Sequence, residues 1–81
     1  MKMYELIPTN GRSSFYGKAK VMIEDSGAET LYSYDTPIIR REPSGELTPL
    51  YTGNKYGTTT AAHVKSFCGI NKTEYMKLLN A

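Results

Sequence analysis

The chain has 81 residues, 40% hydrophobic and 22% charged, with ten Lys and Arg against eight Asp and Glu. Such a chain makes one small globular domain that buries about 60% of its unfolded surface; it is too short for a dinucleotide-binding, P-loop or barrel enzyme domain and too apolar for a disordered tail. Cys68 and His63 are single, so no internal disulfide and no tetrahedral zinc set is expected, and no cofactor is called for. Apolar runs reach only two or three residues and no leader core follows Met1-Lys2-Met3, so neither a membrane span nor a secretion signal is read. The expected location is the cytoplasm.

The first two-thirds reads as strands, within residues 3–52. Met3 to Ile7 is a short strand stopped by Pro8 and by Asn10-Gly11. From Phe15 the pattern alternates: Phe15, Gly17, Ala19, Val21 and Ile23 take one side, Tyr16, Lys18, Lys20, Met22 and Glu24 the other. Asp25-Ser26-Gly27 is a turn. Glu29 to Arg41 reads as one long strand, placed at an edge, bulged or broken at Pro37, which lacks an amide donor. Pro43-Ser44-Gly45 turns the chain again into Glu46–Thr52, with Pro49 favouring an edge. No connection is long enough for a crossover helix, so the strands form antiparallel hairpins.

After Gly53–Gly57 the period changes. Thr58, Thr59 and Thr60 offer hydroxyl caps for a helix over about 59–68, with Ala61, Val64, Phe67 and Cys68 on one face and Gly69 as the stop. Asn71 with Glu74 three residues later is a capping box for a second helix over about 72–80. The expected fold is therefore α+β: residues 1–81 as a single domain, an antiparallel sheet of three to four strands, and one or two C-terminal helices packed on one face.

Catalytic residues are not assigned. His63 would need a nucleophile and an orienting group beside it, and Cys68 lies about 140° away round the helix. Cys68 reads as a small buried hydrophobe and His63 as a packing or hydrogen-bonding residue. Seven tyrosines are the unusual feature. Tyr32 and Tyr34 share a face of the long strand, with Tyr16 and Tyr51 on neighbouring strands, and such a face suits protein binding or self-association. Basic residues interleave with it (Lys18, Lys20, Arg40, Arg41). Together with Lys72 and Lys77 on the terminal helix pair, they form the alternative: contact with a nucleic acid by base stacking or groove insertion. A net charge of +2 is thin for that role and favours the protein partner or homodimer.

Two stretches carry a resemblance. Leu31, Ser33, Tyr34, Thr36 and Ile38, followed by Tyr56, Thr59, Thr60, His63, Val64 and Phe67, resemble a small domain-of-unknown-function family of bacterial and bacteriophage proteins. Its pattern runs L-x-S-Y-x-T-x-V-A, then Y-S-x-T-T-x-x-H-I-x-x-F-L. Ile39, Gly57 and Cys68 depart from it, as does Pro37. The resemblance implies no activity. It implies that Thr59, Thr60, His63 and Phe67 act together, capping the helix and pinning it to the sheet through a buried polar contact. The expectation is thus a non-enzymatic accessory protein of a phage or mobile element that works by protein–protein interaction, inhibition of a host factor included.

Overall fold

The computed structural model describes residues 2–6, 18–51 and 57–80. Five strands and two helices follow in chain order: β1 Lys2–Glu5, β2 Ala19–Ile23, β3 Glu29–Ser33, β4 Thr36–Arg41, β5 Leu47–Pro49, α1 Thr58–Cys68 and α2 Lys72–Leu79. The strands form one antiparallel sheet in the order β1-β2-β3-β4-β5, and the α+β expectation holds with one strand more than anticipated. The start of the second strand at Phe15–Gly17, with Tyr16, lies outside the described residues.

The extra strand comes from the stretch read as one run. Glu29–Arg41 folds back on itself: Ser33 faces Thr36 across a two-residue loop, Tyr34-Asp35. Tyr34 takes φ 58°, the left-handed region, which ends strand geometry at that residue. The irregularity expected at Pro37 is present as a register shift: Leu31 pairs with Ile39 and Tyr32 with Pro37, leaving Ile38 as the extra residue. Of the alternatives read for Pro37, the bulge and the break are the ones found; β4 as a whole lies between β3 and β5, and its β5 pairing begins at Ile39. The other two reversals use glycine as read, Gly27 at φ 94° and Gly45 at φ 95°, with amides donating to Glu24 and Glu42 carbonyls.

Strand alternation sorts the two faces. Ala19, Val21, Leu31, Ser33 and Ile39 are buried beneath the helices with Val64, Phe67 and Tyr75, which makes one core. Lys20, Met22, Thr30, Tyr32 and Arg40 alternate with them and face the other way. Both helices lie on one face because each carries one short apolar stripe and only the core side of the sheet is apolar enough to receive it.

The helix ends are local chemistry. Gly69 at φ 80° closes α1, its amide donating to the Lys65 carbonyl at 2.9 Å. Asn71 and Glu74 form the reciprocal box that starts α2, at 2.8 and 3.1 Å. The start of α1 is corrected: Gly57 is the N-cap and no side chain caps it, so the threonine hydroxyls are available elsewhere.

Candidate functional site

The β3–β4 hairpin tip meets the first turn of α1. Ser33, the last residue of β3, is 3% exposed and points into the helix side. Its hydroxyl lies 2.9 Å from His63 Nδ1 and 3.3 Å from the Thr60 hydroxyl. Thr60 and His63 are three apart on α1 and so share a face. His63 is fully buried, and Phe67, one turn on, continues the same face into the core. This polar latch joins helix to sheet as the resemblance implied, but without the threonine capping that it also implied. Thr59 is exposed, and the printed contacts of Ser33 are with Thr60 and His63.

Tyr34 stands over this latch. Its ring lies 6.3 Å from the His63 ring at a 55° tilt, and Lys18 Nζ lies 6.0 Å from its centroid. The side chain is 52% exposed. Together with Ser33, Thr36, Ile38, Tyr51 and Thr60 it lines a hollow of about 200 Å³. The lining combines two tyrosines, three aliphatic hydroxyls and one isoleucine, with no charged group. Such a hollow takes a neutral or apolar side chain and offers it hydroxyl partners.

Behind the hollow, α2 holds the backbone of two of its lining residues, Ile38 and Tyr51. Tyr75 is fully buried, and its hydroxyl lies 2.8 Å from the Ile38 carbonyl and 2.9 Å from the Tyr51 carbonyl, while accepting from the Tyr51 amide at 3.2 Å. One phenol therefore ties the last helix to the bulge at Ile38 and fixes the backbone from which Tyr51 reaches the hollow. Burial pushes the Tyr75 phenol above its ordinary value, so it stays neutral and keeps its proton to donate. The sequence marked Tyr75 only as part of an apolar stripe; a tyrosine on a helix face otherwise made of leucines was the available signal.

The four candidate tyrosines do not form one surface. Tyr32 is on the face away from the helices, Tyr34 is at the hairpin tip, and Tyr51 leans on the core beside α2. The expectation that Tyr32 and Tyr34 share a strand face is corrected by the turn at Tyr34. Tyr34 and Tyr51 are nevertheless brought together, at the hollow.

The basic candidates are largely committed. Arg40 pairs with Glu24 at 2.8 Å and Glu42 at 2.6 Å, and hydrogen bonds first to Glu24 and then to Glu42 hold its guanidinium firmly protonated. Arg41 donates to Glu29 and to the Phe67 carbonyl, both at 3.0 Å, and stacks 4.3 Å from the Phe67 ring centroid. It thereby satisfies one of the orphan carbonyls at the end of α1. Lys18, Lys20, Lys72 and Lys77 are exposed, but Lys20 and α2 lie on opposite faces of the sheet. Cys68 donates to the Val64 carbonyl at 3.4 Å, and burial raises its thiol, which keeps it protonated and a poor nucleophile.

A larger depression of about 430 Å³ lies between the helices, lined by Thr58, Ala61, Ala62, Lys65, Ser66, Asn71 and Lys72. It has neither a strained backbone nor a built polar floor like that of the hairpin-tip hollow.

The chain belongs to a family of unknown function, DUF8033, whose pattern matches residues 3–78. The match covers nearly the whole domain, well beyond the two stretches that carried the resemblance. No curated protein and no solved structure matches the chain.

Proposed function

We propose that this chain is a small non-enzymatic binding module that recognises a protein partner through the β3–β4 hairpin tip, with Tyr34 as the anchor and the hollow beside it as the receptor for a partner side chain. The observation that carries this reading is the conformation of Tyr34. A two-residue hairpin loop whose first residue has φ 58° favours glycine, and an aromatic residue there costs about 1–3 kcal/mol. The two other hairpin turns among the described residues use glycine, so the side chain is what sets Tyr34 apart. Half-exposed aromatics beside a pocket are the residues that dominate protein recognition.

The committed arginines weigh against nucleic-acid contact as the main role, because charges already paired contribute little to phosphate binding. Ser33 and His63 read as the latch and not as a nucleophile and base, since the serine is sealed. In the bacterial and bacteriophage setting that the resemblance suggests, the partner is a host or phage protein, and occupying the hollow is one means of inhibiting it.

The test is capture of partners from a bacterial lysate by the wild-type chain and by Tyr34→Gly. Glycine relieves the backbone strain, so the variant folds at least as well, and loss of capture is then loss of the anchor. Capture of the same proteins by both would overturn the reading, and so would steep loss of nucleic-acid-mediated retention between about 50 and 200 mM salt as the only interaction found.

A further inference from the structure

The depression of about 430 Å³ between the helices takes its α1 wall from Thr58, Ala61, Ala62, Lys65 and Ser66. These residues are spaced three, four, seven and eight along the chain, so one straight side of the helix lines it. The side that packs on the sheet is a different one, carrying His63, Val64 and Phe67. Ala61 and Ala62 are half-buried and small, whereas Lys65 and Lys72 are exposed.

Three features give this depression a positive potential. Both of its charged lining residues, Lys65 and Lys72, are cations, and neither makes an ion pair among the described residues. The start of α1 reaches the depression at Thr58 with no side-chain cap and no acid in its first turn, so no side chain offsets the positive end of that helix. Lys72 is the first residue of α2, where the helix dipole disfavours a cation. Glu74, the one acid of that turn, is directed to the Asn71 amide at 3.1 Å. A residue that local helix chemistry disfavours, set on the rim of a hollow, points to a role outside the fold.

We infer that this depression docks an acidic amphipathic helix of a partner protein, at a surface separate from the hairpin tip. The alanines and Ser66 allow a second helix to approach at the short end of the usual interaxial range of about 8–10 Å. Residues 58–66 run about 12 Å along the axis, which receives about two turns of the incoming helix. Its apolar stripe lies on Ala61 and Ala62, and its carboxylates meet Lys65, Lys72 and the open start of α1. Charge complementarity selects this occupant. A second copy of α1 does not fit, because it carries no acid and brings its own Lys65 into the same positive field. Nucleic acid fits less well, since the lining holds no aromatic ring on which a base stacks.

The probe is a synthetic peptide of about 18 residues, long enough to hold a helix, with leucine at every third or fourth position and glutamate elsewhere. It is titrated into the isotope-labelled chain beside a counterpart with lysine in place of each glutamate. The acidic peptide is expected to shift the amides of Ala61, Ala62 and Ser66 and to bind at least about tenfold more tightly than the basic one. Lys65→Glu with Lys72→Glu is expected to invert that preference. The double variant keeps its melting temperature, because both side chains are exposed and the two exchanges act in opposite senses on the helix dipoles. Equal affinity for the two peptides, a preference unchanged in the double variant, or amide shifts confined to other parts of the chain would each overturn the inference. So would tighter retention of a short single-stranded DNA than of the acidic peptide by the same two lysines. Tyr34→Gly leaves this binding unchanged, so its outcome and that of partner capture at the hairpin tip are separable.

Discussion

The three hairpin turns among the described residues solve one steric problem in two ways. The β2–β3 and β4–β5 turns place glycine at φ 94° and 95°, and a methyl group added there would meet at most ordinary contacts: Pro43 at 3.6 Å from Gly27 and nothing within 4 Å of Gly45. The β3–β4 turn places tyrosine at φ 58°. The difference is in what surrounds the turn. The glycine turns are held by local backbone hydrogen bonds, two at each, whereas Ser33 beside Tyr34 is held from across the domain by His63 and Thr60. Backbone strain persists where neighbouring contacts over-determine the geometry, and the latch supplies them.

Cutting the latch has the largest expected effect. His63→Ala leaves a cavity in the core and a buried Ser33 hydroxyl without its imidazole, and should cost about 3 kcal/mol by urea denaturation. An unchanged melting temperature would show that the latch holds nothing. In a Tyr34→Gly background the same substitution should cost measurably less, because there is no longer strain for the latch to restrain.

Next is the Tyr75 hydroxyl. Tyr75→Phe removes a buried hydroxyl with three backbone neighbours and should cost about 2 kcal/mol. It also has a pH signature. The folded phenol titrates above the unfolded value of about 10, so its contribution is complete below that pH and is lost as pH rises through the folded value. The wild-type stability therefore falls in alkali above about pH 10, and Tyr75→Phe should flatten that fall. The flattening is partial, because burial and then the charge of Glu29 raise Tyr4 in the same direction.

The turns themselves give the smallest and most pointed pair of effects. Gly45→Ala has open space for its methyl group, so its cost of about 1 kcal/mol comes from the positive φ alone. Tyr34→Gly should move stability about 1 kcal/mol the other way while abolishing partner capture. Equal signs for the two in thermal denaturation would break the contrast between a turn chosen for geometry and a turn chosen for its side chain.

Much of the fold was readable from residue order. Alternation gave Ala19 and Val21 their inward side, the glycine turns fell where Gly27 and Gly45 stand, and the Asn71–Glu74 box and the Gly69 stop marked helix ends to within a residue. These are contacts between residues at most four apart, and the side-chain types alone carry them. The site was read less completely. His63 and Thr60 were singled out, but their partner Ser33 is about thirty residues away. Residue order reads Tyr34 as strand because a propensity pattern has no sign for φ, and it reads Arg40 and Arg41 as available because Glu24 and Glu29 reach them from other parts of the sheet.

The sequence by itself determined the order of elements, the positions where the chain reverses and the composition of the core, since each follows from local conformational preference and from apolar periodicity. Only the tertiary structure decided which residues bear on function. The left-handed Tyr34, the Tyr75 hydroxyl shared among Ile38 and Tyr51, and the Arg41 bridge to Phe67 all join groups 24 to 37 residues apart or depend on such a joint. Contacts at that separation form only once the sheet and helices have fixed which faces meet.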